Sequence, residues 1–162
     1  MDKYLFLDID GVLNSEDFYI DCYKSEKDPK YASDRICTDT EIHPDYTGNI
    51  DQTAVRMIRK IVSETGCKVV LSSSWRSDSI APDELKKMGI EICGTTPYDY
   101  ERFRGREIQK FLESHPCETY CILDDDSDML DEQRSNFVQT NPSHGLTDDD
   151  TEKVIGILGN TL

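Results

Sequence analysis

Two spacings of apolar residues take turns along this chain. The first is a short unbroken run, Tyr4-Leu5-Phe6-Leu7, which predicts a buried strand over residues 3–9. The second begins after residue 50. Val55, Ile58, Ile61 and Val62 recur at helical spacing, with Asp51 placed as an N-cap and Gly66 as a stop. Cys67-Lys68-Val69-Val70-Leu71 predicts a second strand, and Pro82 suits the first turn of a short helix over 82–88 that Gly89 ends. Ile90-Glu91-Ile92-Cys93 alternates as a strand does. A helix over about 105–114 turns Ile108, Phe111 and Leu112 inward, and residues 119–123 form the next strand. Phe137-Val138-Gln139-Thr140 gives a last short strand. Gly145-Leu146-Thr147 introduces a final helix with Val154, Ile155 and Leu158 on its apolar face. Its first turn holds Asp148 to Asp150, where negative charge complements the helix dipole. Residues 15–50 show few apolar repeats and are expected to form a long irregular insert.

Strands alternating with helices predict an α/β fold: a three-layer, Rossmann-like, mainly parallel sheet with helices on both faces. In such sheets, sites gather beyond the C-terminal ends of the strands. Three predicted strands run into polar residues there, at 8–10, 72–76 and 124–128. Asp8 and Asp10, spaced i, i+2, start on the same side of the first strand, and Gly11 lets the chain turn sharply after them. Two carboxylates 4 Å apart repel by about 4 kcal/mol at an effective dielectric near 20. A cation or a proton-transfer task compensates for such a pair, so this strand end points to a metal-assisted site. In a chain with 33 Asp and Glu residues, an isolated Asp-x-Asp would signal little. The apolar run before it and the glycine after it distinguish this one.

The 162 residues suit a single domain over 1–162, and the net charge of −15 argues against a bulk nucleic-acid or membrane binder. The six cysteines include no Cys-x-x-Cys pair, and the three histidines complete no zinc spacing. Several of the cysteines lie in apolar surroundings, where a thiol packs as a small hydrophobe. With no signal peptide or spanning segment in the sequence, a reducing, cytoplasmic setting is expected. Nothing fixes the oligomeric state.

These motifs resemble the haloacid dehalogenase (HAD) superfamily of phosphotransferases, in four pieces in the family's order. Asp8-Ile9-Asp10-Gly11-Val12 resembles motif one, and the strand ending in Ser72-Ser73-Ser74 resembles motif two. Arg104-Gly105 before a helix resembles the basic motif three, and Leu123-Asp124-Asp125-Asp126-Ser127-Asp128 the acidic motif four. Ser-Ser-Ser-Trp-Arg and Ile-Leu-Asp-Asp-Asp are most similar to the small phosphatase domain attached to some bacterial RNA-repair proteins. The resemblance leaves residues 15–50 and 77–103 unexplained, the former lying where the superfamily places its first cap.

The resemblance implies a Mg²⁺-dependent phosphomonoesterase acting through an aspartyl-phosphate. Asp8 would be the nucleophile and Asp10 the acid, then the base. Asp8, the Asp10 carbonyl and motif-four carboxylates would hold Mg²⁺. For motif four, both Asp124 with Asp125 and Asp124 with Asp128 match family spacings, while Asp126 reads as a solvated turn residue. The motif-two hydroxyl falls on Ser73, with Ser72 next and Ser74 also able to meet substrate. Arg104 fits motif three, with Arg106 as the other candidate. Arg76 either grips substrate phosphate or pairs with acidic neighbours. In the insert, too short for a full helical cap, Tyr19, Tyr23, Tyr31 and Arg35 are candidates for contact with a base or sugar. Expected substrates are nucleotides, nucleic-acid ends or small phosphorylated metabolites. A phospho-accepting signalling receiver and a non-catalytic phosphate-binding module are the other readings. A receiver, however, carries its phospho-accepting aspartate on the third strand.

Overall fold

The computed structural model describes residues 1–39 and 41–159. Five parallel strands, β1 (Lys3–Leu7), β2 (Lys68–Leu71), β3 (Ile92–Thr95), β4 (Thr119–Asp124) and β5 (Phe137–Gln139), form one sheet in the order β3-β2-β1-β4-β5. The helices are α1 (Glu16–Lys27), α2 (Pro44–Thr47), α3 (Gln52–Thr65), α4 (Ala81–Lys87), α5 (Arg104–Ser114) and α6 (Asp148–Gly159). Three 3₁₀ turns lie at Pro29–Tyr31, Ser74–Ser77 and Asp131–Asn136. This is the expected α/β architecture.

Alternation along β1 divides the core. Leu5 and Leu7 join Val55, Ile58 and Ile61 of α3 and Val154 and Leu158 of α6 in one buried cluster. Tyr4 and Phe6 join Ile108 and Phe111 of α5 in another. The rings of Tyr4 and Phe6 each meet Phe111 edge-on, at 5.4 and 5.5 Å. Helix α3 starts where the sequence places it: Asp51 accepts the Thr53 N–H at 2.9 Å, and Gly66 closes the helix at φ +68°.

Three expectations need correction. Strand β1 ends at Leu7, because the Ile9 carbonyl takes both the Val12 and Leu13 N–H groups and turns the chain. The edge strand spans Ile92–Thr95 instead of 90–93: Ile90 is buried, and its N–H is taken by Leu85 O at the end of α4. The insert is not irregular throughout, since residues 16–27 form α1; Thr40 lies outside the described residues. This helix buries one side chain, Phe18, so it shows little apolar periodicity. Its ends sustain it instead. Ser15 caps it, Glu16 and Asp17 occupy the first turn, and Lys24 and Lys27 the last. Its first two N–H groups are bonded by Pro142 O and Ser143 O, which fixes α1 beside the sheet's C-terminal edge.

Candidate active site

Asp8 follows the central strand directly, and its N–H still bonds Leu123 O of β4 at 3.0 Å. The next strand over, β4, ends in Asp124, and Asp125 follows it directly. Asp8, Asp124 and Asp125 each offer a carboxylate oxygen within 4.8 Å of the others. Gly11 makes this approach feasible. It sits at φ +79°, and a Cβ there would come 2.3 Å from Asp125 Oδ2. The loop is fixed from two sides, by Thr140 Oγ1 donating to Gly11 O at 2.8 Å and by Asn14 Oδ1 accepting the Gly11 N–H at 2.8 Å.

Burial raises the Asp8 carboxyl well above the ordinary carboxylate range; Arg104 opposes that shift and the charge of Asp125 adds to it. Asp124 is raised too, by burial first and then by Asp8. Asp124 Oδ1 accepts the Asp126 N–H, but Oδ2 is buried without a hydrogen-bond partner. Arg104 faces this pair. Its Nη1 lies 3.8 Å from both Asp8 Oδ1 and Asp124 Oδ2, too far for a hydrogen bond, and is itself buried and unpartnered.

Arg104 is aimed by its neighbours. The Arg104 N–H donates to Asp128 Oδ2 at 3.1 Å and the Gly105 N–H to Asp128 O at 2.9 Å, so Asp128 seats the first turn of α5. Of the two motif-four spacings, then, Asp125 joins the carboxylate cluster while Asp128 holds the helix. Gly105 lets that turn lie against the acidic loop, since a Cβ would meet Leu130 N at 2.7 Å. Glu107 is buried and takes an ion pair from Arg76 at 2.8 Å, a longer contact from Arg104 Nε at 3.6 Å and the Asp99 N–H at 3.1 Å. Arg76 also donates to the carbonyls of Ser72 and Ser73 and stacks on Tyr98. Arg76 is thus committed to Glu107. Arg106 is half exposed and pairs with Glu101 at 2.7 Å, and Arg35 pairs with Asp21 and Asp51.

The three serines differ. Ser72 is fully buried and its hydroxyl has no partner; Ser73 is fully buried and its Oγ accepts the Trp75 N–H; Ser74 is exposed. Asp10 is exposed, its carboxylate outside the three-carboxylate cluster and held by Asn14 Nδ2 at 3.0 Å and Trp75 Nε1 at 3.1 Å. A cleft of about 350 Å³ opens between Asp10, Gly11, Asp125 and Tyr19. A larger hollow of about 510 Å³ lies on the α5 face around Tyr4, Lys68, Cys93 and His115. It shares no residue with the carboxylates and offers no comparable chemistry.

A family model, described as the HAD domain in Swiss Army Knife RNA repair proteins, matches residues 4–151. The chain belongs to this family. No curated protein and no solved structure matches it. Membership in the HAD family carries a phosphatase-type function in general terms. The match takes in β1 from its second residue, the other four strands whole, and every carboxylate and arginine of the site.

The donor set of this HAD domain fits a hard divalent cation. Three carboxylates converge, one oxygen among them is orphaned in a buried position, and opposite charge would relieve the burial and repulsion that raise Asp8 and Asp124. Sequence reasoning did not find Glu107, Asn14 or Thr140. Glu107 left a usable sign, a carboxylate four residues before Phe111 on the buried face of a helix. Asn14 and Thr140 left none, because their partners are backbone and loop groups that only the fold brings near.

Proposed function

We propose that this HAD domain is a Mg²⁺-dependent phosphomonoesterase that works through an aspartyl-phosphate on Asp8. The observation that carries the reading is the meeting of Asp8, Asp124 and Asp125 beside Arg104 at the end of the central strand. Asp8, Asp124 and Asp125, with the Asp10 carbonyl, would hold the cation, whose positive charge would keep Asp8 ionised and draw the phosphoryl oxygens in.

The chain's own residues account for the rest. Asp8 Oδ attacks phosphorus in line while the bond to the ester oxygen breaks, and Asp10 gives that oxygen its proton. Asp10 then removes a proton from water as the water oxygen attacks the phosphoryl group. The bond to Asp8 breaks and inorganic phosphate leaves. Arg104 Nη1, a buried donor with nothing to bind, supplies a charged hydrogen bond to a phosphate oxygen. Ser72 and Ser73 follow β2 directly, with the Ser72 N–H on Leu7 O beside Asp8, and their hydroxyls would be the next donors to that phosphate. Asp10 lies outside the cluster, held by Trp75 and Asn14, and lines with Asp125 the cleft that the ester group would enter.

The family's description in terms of RNA repair supports phosphorylated nucleic-acid ends as the substrate class. Six unpaired cysteines suit action in a reducing compartment such as the cytoplasm. The reading is tested by phosphate release from an aryl phosphate with and without Mg²⁺, in wild type and Asp8→Asn. Metal-dependent turnover that the substitution abolishes is expected; equal turnover in the two proteins would remove Asp8 as the nucleophile.

A further inference from the structure

Helix α1 buries Phe18 and leaves its other large side chains outside. Tyr19 is 42% exposed, Ile20 51% and Tyr23 63%, and Tyr31 in the following turn is 46% exposed. Half of the exposed large hydrophobic side chains among the described residues fall between 19 and 31, so this is a patch and not the usual scatter. Packing does not explain it, because one phenylalanine is all the helix contributes to the core.

The far end of the patch, residues 23–31, gathers three lysines in a strongly acidic chain, while the carboxylates of the first half of α1 lie apart from them, Asp17 beside His144 and Asp21 paired with Arg35. Lys27 Nζ lies 5.4 Å from the Tyr23 ring centroid, and Lys24 and Lys30 lie 5.8 and 5.0 Å from that of Tyr31. Glu26 and Asp28 interleave with these lysines and keep the net charge small; Asp28 is taken up by the Lys30 N–H and ammonium. Tyr19, one turn before Tyr23 on the same helix, lines the cleft that holds Asp10 and Asp125. The row of rings therefore begins at the site and leads away from it.

We propose that α1 and the turn at Pro29–Tyr31 are a platform for the single-stranded nucleotides that adjoin the phosphate being removed. The proposal rests on the phosphatase reading above and adds where, and by what chemistry, the rest of the substrate is held. Bases stack on Tyr19, Tyr23 and Tyr31, while Lys24, Lys27 and Lys30 meet the phosphates between them. The chemistry favours a nucleic acid over a protein surface because the two rings that follow Tyr19 in the patch, Tyr23 and Tyr31, each have an ammonium close by, matching a ligand that alternates planar base with anion. It favours a short single strand over a duplex because the acidic remainder of the molecule repels a long polyanion.

The test compares two substrates on the full chain: an aryl phosphate, too small to extend from the cleft to Tyr23 and Tyr31, and a short single-stranded oligoribonucleotide with a terminal phosphate. In Tyr23→Ala/Tyr31→Ala, kcat/KM for the oligonucleotide should fall by about tenfold or more, from lost stacking, with aryl phosphate turnover at the wild-type rate. Lys27→Gln/Lys30→Gln should flatten the salt dependence of oligonucleotide binding, read by fluorescence anisotropy. Oligonucleotide turnover and binding unchanged in both variants would overturn the platform, as would a parallel fall on both substrates in variants that unfold at the wild-type temperature. A dimer in sedimentation that the tyrosine variant dissolves would mark the patch as a contact between copies and overturn it too. If wild type turns over neither substrate, the phosphatase reading fails by itself, and the anisotropy of the tyrosine variant still decides the platform.

Discussion

Glu107 holds more of the site together than any residue the motifs name. It faces two arginines and a backbone N–H from three separate segments, and it is almost fully buried. Breaking a buried ion pair leaves an uncompensated charge behind, at a cost of about 3–5 kcal/mol. Glu107→Ala should destabilise the protein by that order in urea unfolding, with Arg76 left buried and charged with only the Ser72 and Ser73 carbonyls and the Tyr98 ring against it. Glu107→Gln, which keeps the shape, should lose less stability, yet both variants should lose turnover because Arg104 is no longer steadied at Nε. A loss below about 1 kcal/mol for the alanine variant would show that Arg76 finds water. Gly11→Ala strikes from the other side. A left-handed alanine costs roughly 1–2 kcal/mol, and its Cβ would displace Asp125 from the cluster. Its mark should be a smaller rise in melting temperature with Mg²⁺ than wild type shows, beyond any fall in stability without metal.

At the scale of elements, legibility tracked burial. Helix α3 could be read because four of its side chains are buried and both caps are conventional, Asp51 before it and Gly66 after it. Helix α1 could not be read from periodicity, because what fixes it is a cap, end charges and two bonds from a loop far along the chain. The clustered carboxylates were legible as strand ends with acidic residues, whereas Asn14, Thr140 and Glu107 act through partners that sequence spacing does not reveal. Asp51 links the two helices. It caps α3 and also receives Arg35 Nη2 of the insert at 2.7 Å. Asp51→Ala should cost about 1–2 kcal/mol in urea unfolding as a lost cap and should speed protease cleavage between residues 28 and 43 as the insert loses its tether. A stability loss without faster cleavage would show that Arg35 does not tether the insert.

For the molecule as a whole, the buried carboxylates connect acidity, metal and stability. Asp8 and Asp124 titrate higher in the folded chain than the ordinary value of about 3.9, so the folded state retains protons that the unfolded state has released. Their contribution is therefore present in full at acid pH below that value and is lost as pH rises through the raised folded values. Metal-free protein should lose this part of its stability toward neutral pH, and Mg²⁺ should restore it there while doing little in acid. Thermal melts across pH with and without Mg²⁺ check this, and Asp124→Asn should flatten the metal-free trend. A metal effect of equal size at both ends of the range would count against the link. The strand order has a different consequence, one of timing. Of the five strands, β1 is made first and ends as the middle of the sheet, while its partner β4 is made fourth, more than a hundred residues later. A growing chain cannot pair β1 with β4 until residues near 124 have emerged, nor add the edge strand β5 until residues 137–139 have, and such non-local pairing is slow. Asp8 therefore meets Asp124 only after more than a hundred further residues have been made, so products cut short before β4 carry motif one without an assembled site.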